Sequence, residues 1–118
     1  MKVLIVDDER HVRSAVRKLV DWEVYGIETV LEAEDGACAI ELIQSENPQL
    51  VITDIMMPVK TGVELMEWME VYAPDCKKIV ISGHNDFEYV RHTVKYGGID
   101  YLLKPIDRKQ LQEAVGKA

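Results

Sequence analysis

The sequence predicts an α/β fold, a doubly wound parallel sheet, from three observations. Five short runs are rich in β-branched and apolar residues, helix-spaced apolar stripes separate them, and the junctions are short. The runs are Val3 to Val6, Glu28 to Glu32, Leu50 to Thr53, Lys78 to Ile81 and Tyr101 to Leu103. Four of them read as apolar on both faces, as a parallel sheet covered by helices requires; Glu28 to Glu32 alternates and is expected nearer an edge.

The helical segments follow in order. Val12, Ala15, Val16, Leu19 and Val20 make one stripe for the first helix; Ala39, Ile40 and Ile43 mark the second, and Leu65, Met66 and Met69 the third. A fourth is expected from Asn85, three residues before Glu88, through Phe87, Val90 and Val94 to the stop at Gly97 and Gly98. The fifth opens with Asp107 three residues before Gln110 and presents Leu111, Ala114 and Val115 on one face. Strict alternation with right-handed crossovers leads to a flavodoxin-like five-stranded parallel sheet, order 2-1-3-4-5, with five helices.

With 118 residues and 47 % hydrophobic content, the chain is expected to form a single domain over residues 1–118. Its apolar runs are far shorter than the roughly 20 residues that cross a bilayer. The start, Met1, Lys2 and a run that stops at Asp7, does not read as a signal peptide, so a cytoplasmic location is expected. Cys38 and Cys76 form no CxxC pair and read as idle thiols. A net charge of −7, from 21 acidic and 14 basic residues, disfavours a domain that neutralises nucleic-acid phosphates by itself.

Parallel sheets bind ligands beyond the carboxyl ends of their strands. There the sequence places Asp7, Asp8 and Glu9 after the first strand, Asp54 after the third, Ser82 after the fourth, and Lys104 with Pro105 after the fifth. Taken singly, Asp7 and Asp8 are candidate helix caps, Asp54 a loop cap before Pro58, Ser82 a turn residue beside Gly83, and Lys104 a solvated lysine. Together they are hard to read that way, because carboxylates gathered at one mouth repel unless a cation offsets them. Mg²⁺ fits: it takes oxygen ligands, retains several waters and is commonly shared with phosphate. An aspartate then serves as the nucleophile, with a lysine and a hydroxyl supplying donors for phosphoryl oxygens.

The runs VLIVDDE, VITDIMMP, VISG and DYLLKP closely resemble the receiver domain of bacterial two-component response regulators, and the resemblance spans nearly the whole chain. It implies Asp54 as phosphoacceptor, Asp7 and Asp8 as the acidic pair that holds Mg²⁺ together with Asp54 and the Met56 backbone carbonyl, and Lys104 as partner of the phosphoryl group. Ser82 becomes the switch hydroxyl and Tyr101 the aromatic that changes rotamer with it; a cis bond before Pro105 is also implied. The implied function is a phosphorylation-dependent switch that accepts its phosphoryl group from a sensor histidine kinase and controls transcription. It is no conventional enzyme, but catalyses its own phosphorylation and dephosphorylation.

The resemblance further implies a possible homodimer through the face of the fourth helix, fifth strand and fifth helix, with Tyr89 as its exposed candidate. DWEVYGIE and SGHNDFEYV resemble receivers joined to AraC-type (YesN-like) helix-turn-helix domains, so a C-terminal DNA-binding effector domain is expected in a full-length protein, with DNA contacted only through it. Ser82 for the commoner threonine, Lys60 for an acid and Gly98 for an alanine depart from the pattern without removing a required atom. His84 reads as a polar loop residue, and none of His11, His84 and His92 has metal-ligand spacing. An aspartyl-phosphate phosphohydrolase is disfavoured because Met56 stands where such enzymes place a second aspartate. A flavin module is disfavoured because no Ser/Thr/Gly-rich phosphate loop follows Asp7.

Overall fold

In the computed structural model, residues 1–54, 62–82, 100–103 and 106–117 are described. Five strands, β1 (Lys2–Val6), β2 (Thr29–Ala33), β3 (Leu50–Asp54), β4 (Lys77–Ser82) and β5 (Asp100–Leu103), form one sheet in the order β2-β1-β3-β4-β5. All four pairings are parallel. The α-helices among the described residues are α1 (Arg10–Leu19), α2 (Gly36–Glu46), α3 (Gly62–Tyr72) and a C-terminal helix (Arg108–Lys117). The expected fourth helix, with Tyr89, Val90 and Val94, lies outside the described residues, as does the start of the crossover that would carry it.

Strand periodicity divides the core in two. Val3 and Ile5 of β1, Leu50 and Ile52 of β3, and Ile79 and Ile81 of β4 pack with Val16 of α1 and with Leu111, Ala114 and Val115 of the C-terminal helix. The alternate residues Leu4, Val6 and Val51 face Ala39 and Ile43 of α2 and Leu65 and Met69 of α3. Successive side chains of one strand thus enter opposite layers, which is why Val3 to Val6, Leu50 to Ile52 and Ile79 to Ile81 are apolar without a break. Each such leucine or isoleucine contributes about 1.5–3 kcal/mol by leaving water.

Several local details differ from the sequence reading. The second strand runs Thr29–Ala33, one residue later than Glu28 to Glu32, and is the half-buried edge strand that the alternation implied. Ala15 is exposed, because the stripe of Val12, Val16, Leu19 and Val20 centres roughly a quarter-turn away at ~100° per residue. Lys78 breaks the expectation of an apolar β4: it is 2 % exposed under α3, with Nζ 3.8 Å from the Glu70 carboxylate. A 3₁₀ turn at Trp22–Tyr25, absent from the sequence reading, closes on Gly26 at φ 74°, a conformation that favours glycine. Trp22 anchors it by donating from Nε1 to the Arg17 carbonyl at 3.0 Å.

Cys38 and Cys76 are both free thiols. Burial pushes the Cys76 thiol from 9.0 up to about 11, with the charge of Lys78 opposing part of the shift.

Candidate functional site at the carboxyl edge

Strand register assembles the site. Val6 pairs with Thr53, so Asp7, the next residue after β1, stands beside Asp54 at the end of β3. Asp54 pairs with Ile81, and Ser82 pairs with Leu103, so one row runs from Asp7 through Asp54 and Ser82 to the end of β5. Strand order reverses between β1 and β3: β1 connects outward to β2, and β3 leads toward β4 and β5. Loops that diverge at such a point leave a crevice, and Asp7 and Asp54 lie on its two sides.

Both carboxylates are buried, Asp7 at 3 % exposure and Asp54 at 5 %. Charge placed so deep is costly unless hydrogen bonds or a counter-charge compensate it. Asp8 and Glu9 are exposed, and carboxylate oxygens of Asp7, Asp8 and Glu9 all come within 4.8 Å of one another. Glu9 thus joins the acidic pair expected from the sequence, while Asp54 stands outside that tight group on the neighbouring strand end. The donor set fits a hard divalent cation, which is oxygen-ligated and does not demand that every ligand come from the protein.

The capping reading of Asp7 and Asp8 fails. The residue before α1 is Glu9, in extended conformation and with no side-chain cap bond. Asp7 Oδ1 instead accepts from the Glu9 N–H at 2.9 Å, turning the chain and fixing the carboxylate. Where capping is the role, the geometry differs plainly: Asp35 accepts from the Cys38 N–H at 2.8 Å, and Asp107 accepts from the Gln110 N–H at 3.1 Å, as its spacing predicted.

The acidic loop is also held from β2. The Asp7 N–H donates to the Ala33 carbonyl at 3.1 Å, and its carbonyl accepts from Arg13 Nη1 at 2.6 Å. Arg13 Nε reaches the Glu32 carboxylate at 3.1 Å, whose other oxygen is 2.7 Å from Arg17 Nη1. Sequence reasoning missed Arg13. Its partner Glu32 is 19 residues away, and only the β1–β2 register, Ile5 with Glu32 and Val6 with Ala33, brings the two together.

Of the remaining expected site residues, Ser82 closes β4 and Tyr101 lies within β5, and for both only the backbone is described. Met56, Lys60, His84, Lys104 and Pro105 lie outside the described residues, so the expectations for them rest on the sequence.

The fold and this edge together define a class: a doubly wound α/β domain whose acidic site sits at the point of strand-order reversal. The family profile "Response regulator receiver domain" matches residues 3–116, and the chain belongs to that family. It is 45 % identical over 111 residues to an uncharacterized response regulatory protein of Staphylococcus epidermidis, covering 94 % of this chain and 43 % of that protein. It is 42 % identical over 116 residues to the transcriptional regulatory protein HptR of Staphylococcus aureus, covering 98 % of this chain and 45 % of HptR. The chain therefore spans less than half the length of these relatives. Among solved structures, the REC domain of AraT, a response regulator from Geobacillus stearothermophilus, superposes with a TM-score of 0.91 at 40 % identity, over 98 % of this chain and 90 % of that one. A two-component transcriptional regulator AraC from Clostridium phytofermentans gives 0.87 at 32 % identity, over 99 % and 90 %.

Proposed function

We propose that the chain is a phosphorylation-dependent switch of a two-component system, with Asp54 as phosphoacceptor. The observation that carries this reading is the placement of Asp54, buried at the end of a central strand beside Asp7 and next to the Asp7–Asp8–Glu9 loop. A lone aspartate in a loop would have no such company.

In this reading an Asp54 carboxylate oxygen bonds to phosphorus as the phosphorus–nitrogen bond of a histidine kinase's phosphohistidine breaks, and the imidazole departs. In the reverse sense of signalling, a water oxygen bonds to phosphorus, the Asp54 oxygen leaves as carboxylate, and inorganic phosphate is released. Asp7 and Asp8, with Glu9 close by, would hold Mg²⁺ together with Asp54 and the Met56 carbonyl. When bound, the cation neutralises charge gathering on the phosphoryl oxygens. Lys104 pairs with those oxygens, Ser82 is the switch hydroxyl, and Tyr101 follows Ser82 to report the event.

The output lies in partners. A sensor histidine kinase donates the phosphoryl group, and a homodimer through the fourth helix, β5 and the C-terminal helix transmits it. Similarity to HptR, AraT and the clostridial AraC regulator supports an AraC-type, YesN-like context in which DNA is contacted through a C-terminal effector domain and not through the single domain over residues 1–118. A cytoplasmic setting accords with this role; among the described residues no helix is long and apolar enough to cross a membrane.

The test is labelling by acetyl phosphate with and without Mg²⁺, followed by intact mass. The parent should gain one phosphoryl adduct only with Mg²⁺, and Asp54→Asn should gain none. An Asp54→Asn protein that labels like the parent would overturn the proposal.

A further inference from the structure

We infer that Arg13 is a positioning residue for the cation site, locking the Asp7 peptide to β2 so that the carboxylates of Asp7, Asp8 and Glu9 stay convergent. The inference rests on the cation-binding reading above and adds a residue that touches neither the cation nor the phosphoryl group.

Three oxygens of like charge within 4.8 Å push the loop open, and something must restrain its backbone. The restraint is visible on both backbone groups of one residue. The Asp7 N–H is bonded directly to Ala33 of β2, and the Asp7 carbonyl is bonded through Arg13 to Glu32, the preceding residue of β2. The Arg13 side chain is only 14 % exposed, and its planar guanidinium spends one donor on the carbonyl and another on the carboxylate. A lysine ammonium, a single point of charge on a flexible stem, does not reproduce that two-ended geometry.

Charge alone argues against placing a guanidinium here, since a cation beside a cation site weakens binding. Glu32 offsets that charge, and Arg17 in turn holds the second Glu32 oxygen, so what Arg13 contributes to the loop is direction. This gives positioning and simple electrostatics opposite signs.

The experiment is calorimetric titration of Mg²⁺ into the full 118-residue chain and its variants, with thermal unfolding as the check on folding. Arg13→Met removes charge and both bonds; Arg13→Lys keeps the charge and loses the fork. Both should weaken Mg²⁺ binding by roughly tenfold, the lower end of what orienting groups around a metal contribute. Arg17→Met loses the same unit charge but touches only Glu32, and should stay within about twofold of the parent. Unchanged or tighter Mg²⁺ binding by folded Arg13→Met or Arg13→Lys would overturn the inference while leaving the cation site standing. If Arg13→Met does not fold, Arg13→Lys decides alone. A parent chain that binds no Mg²⁺ would overturn both the inference and the reading beneath it.

Discussion

Among the described residues, the two edges of the sheet treat their charged groups in different ways. At the amino edge the ion pairs of the first strand are at the surface: the Met1 ammonium meets Glu28 at 3.1 Å, and Lys2 meets Glu46 at 3.4 Å with both side chains more than a third exposed, while Lys78 near the start of β4 is the buried exception, facing an exposed Glu70. At the carboxyl edge Asp7 and Asp54 are buried on adjacent strand ends, and the loop between β1 and α1 is pinned by bonds to its backbone. Exposed pairs of the first kind add little to stability, since water already solvates both partners. Buried carboxylates of the second kind are costly unless partners or a counter-charge compensate them, and in the proposed function that counter-charge is the cation.

Helix direction reinforces the asymmetry. Because β1, β2 and β5 each lead into a helix, α1, α2 and the C-terminal helix begin at the carboxyl edge and direct their positive dipole ends there. In the proposed function those helix ends would offset part of the negative charge that the carboxylates and a phosphoryl group bring to this edge. The amino edge receives helix C-termini, with Arg17 and Lys18 in the last turn of α1 and Asn47 ending α2 at φ 50°.

Substitutions can break this contrast, and the largest effect is expected at Asp54: Asp54→Asn should abolish Mg²⁺-dependent phosphoryl labelling while Glu46→Gln leaves it unchanged, as read by intact mass. Next comes the cation itself. Mg²⁺ at a hundredfold excess over its dissociation constant should stabilise the parent by about 2.7 kcal/mol in denaturant unfolding. Asp7→Asn should remove most of that gain, and Glu46→Gln should keep it. Equal gains in both variants would erase the distinction between the edges.

Smaller effects sharpen it. Asp107→Ala deletes a working cap at the carboxyl edge and should cost about 1 kcal/mol by urea denaturation, without altering Mg²⁺ affinity. Glu46→Gln at the amino edge should cost under about 0.5 kcal/mol, with that small effect shrinking further in high salt. Cys76 supplies a pH test that lies apart from the phosphoryl site. Its thiol is raised from 9.0 to about 11 in the fold, so the folded state binds the proton more tightly than the unfolded chain. Its contribution to stability is complete below pH 9 and declines as pH climbs toward about 11. A Cys76→Ala variant should lose that part of the alkaline decline in thermal unfolding.

What the sequence made legible follows the range of the interaction. The apolar runs, the helix stripes and the Asp107 cap are local patterns, and the strand-end rule then brought Asp7, Asp8 and Asp54 to one edge. The Arg13–Glu32 contact was illegible because it depends on which residue of β2 lies beside which residue of β1, a register no local pattern encodes. Ala15 was misplaced because alanine is equally at home inside and outside a helix, and Lys78 because a lysine within an apolar run can lie buried along its stem. Glu9 was noticed but given no role; only the turn made by Asp7 shows that it reaches back to the other two acids.

The most direct measurement is to locate the phosphoryl group itself. Treating the acetyl phosphate-labelled protein with borohydride reduces an aspartyl phosphate to homoserine, which peptide mass spectrometry can place in the chain. The account predicts homoserine at position 54, formed only when Mg²⁺ was present during labelling. Homoserine at another aspartate, or the same yield at position 54 without Mg²⁺, would contradict it.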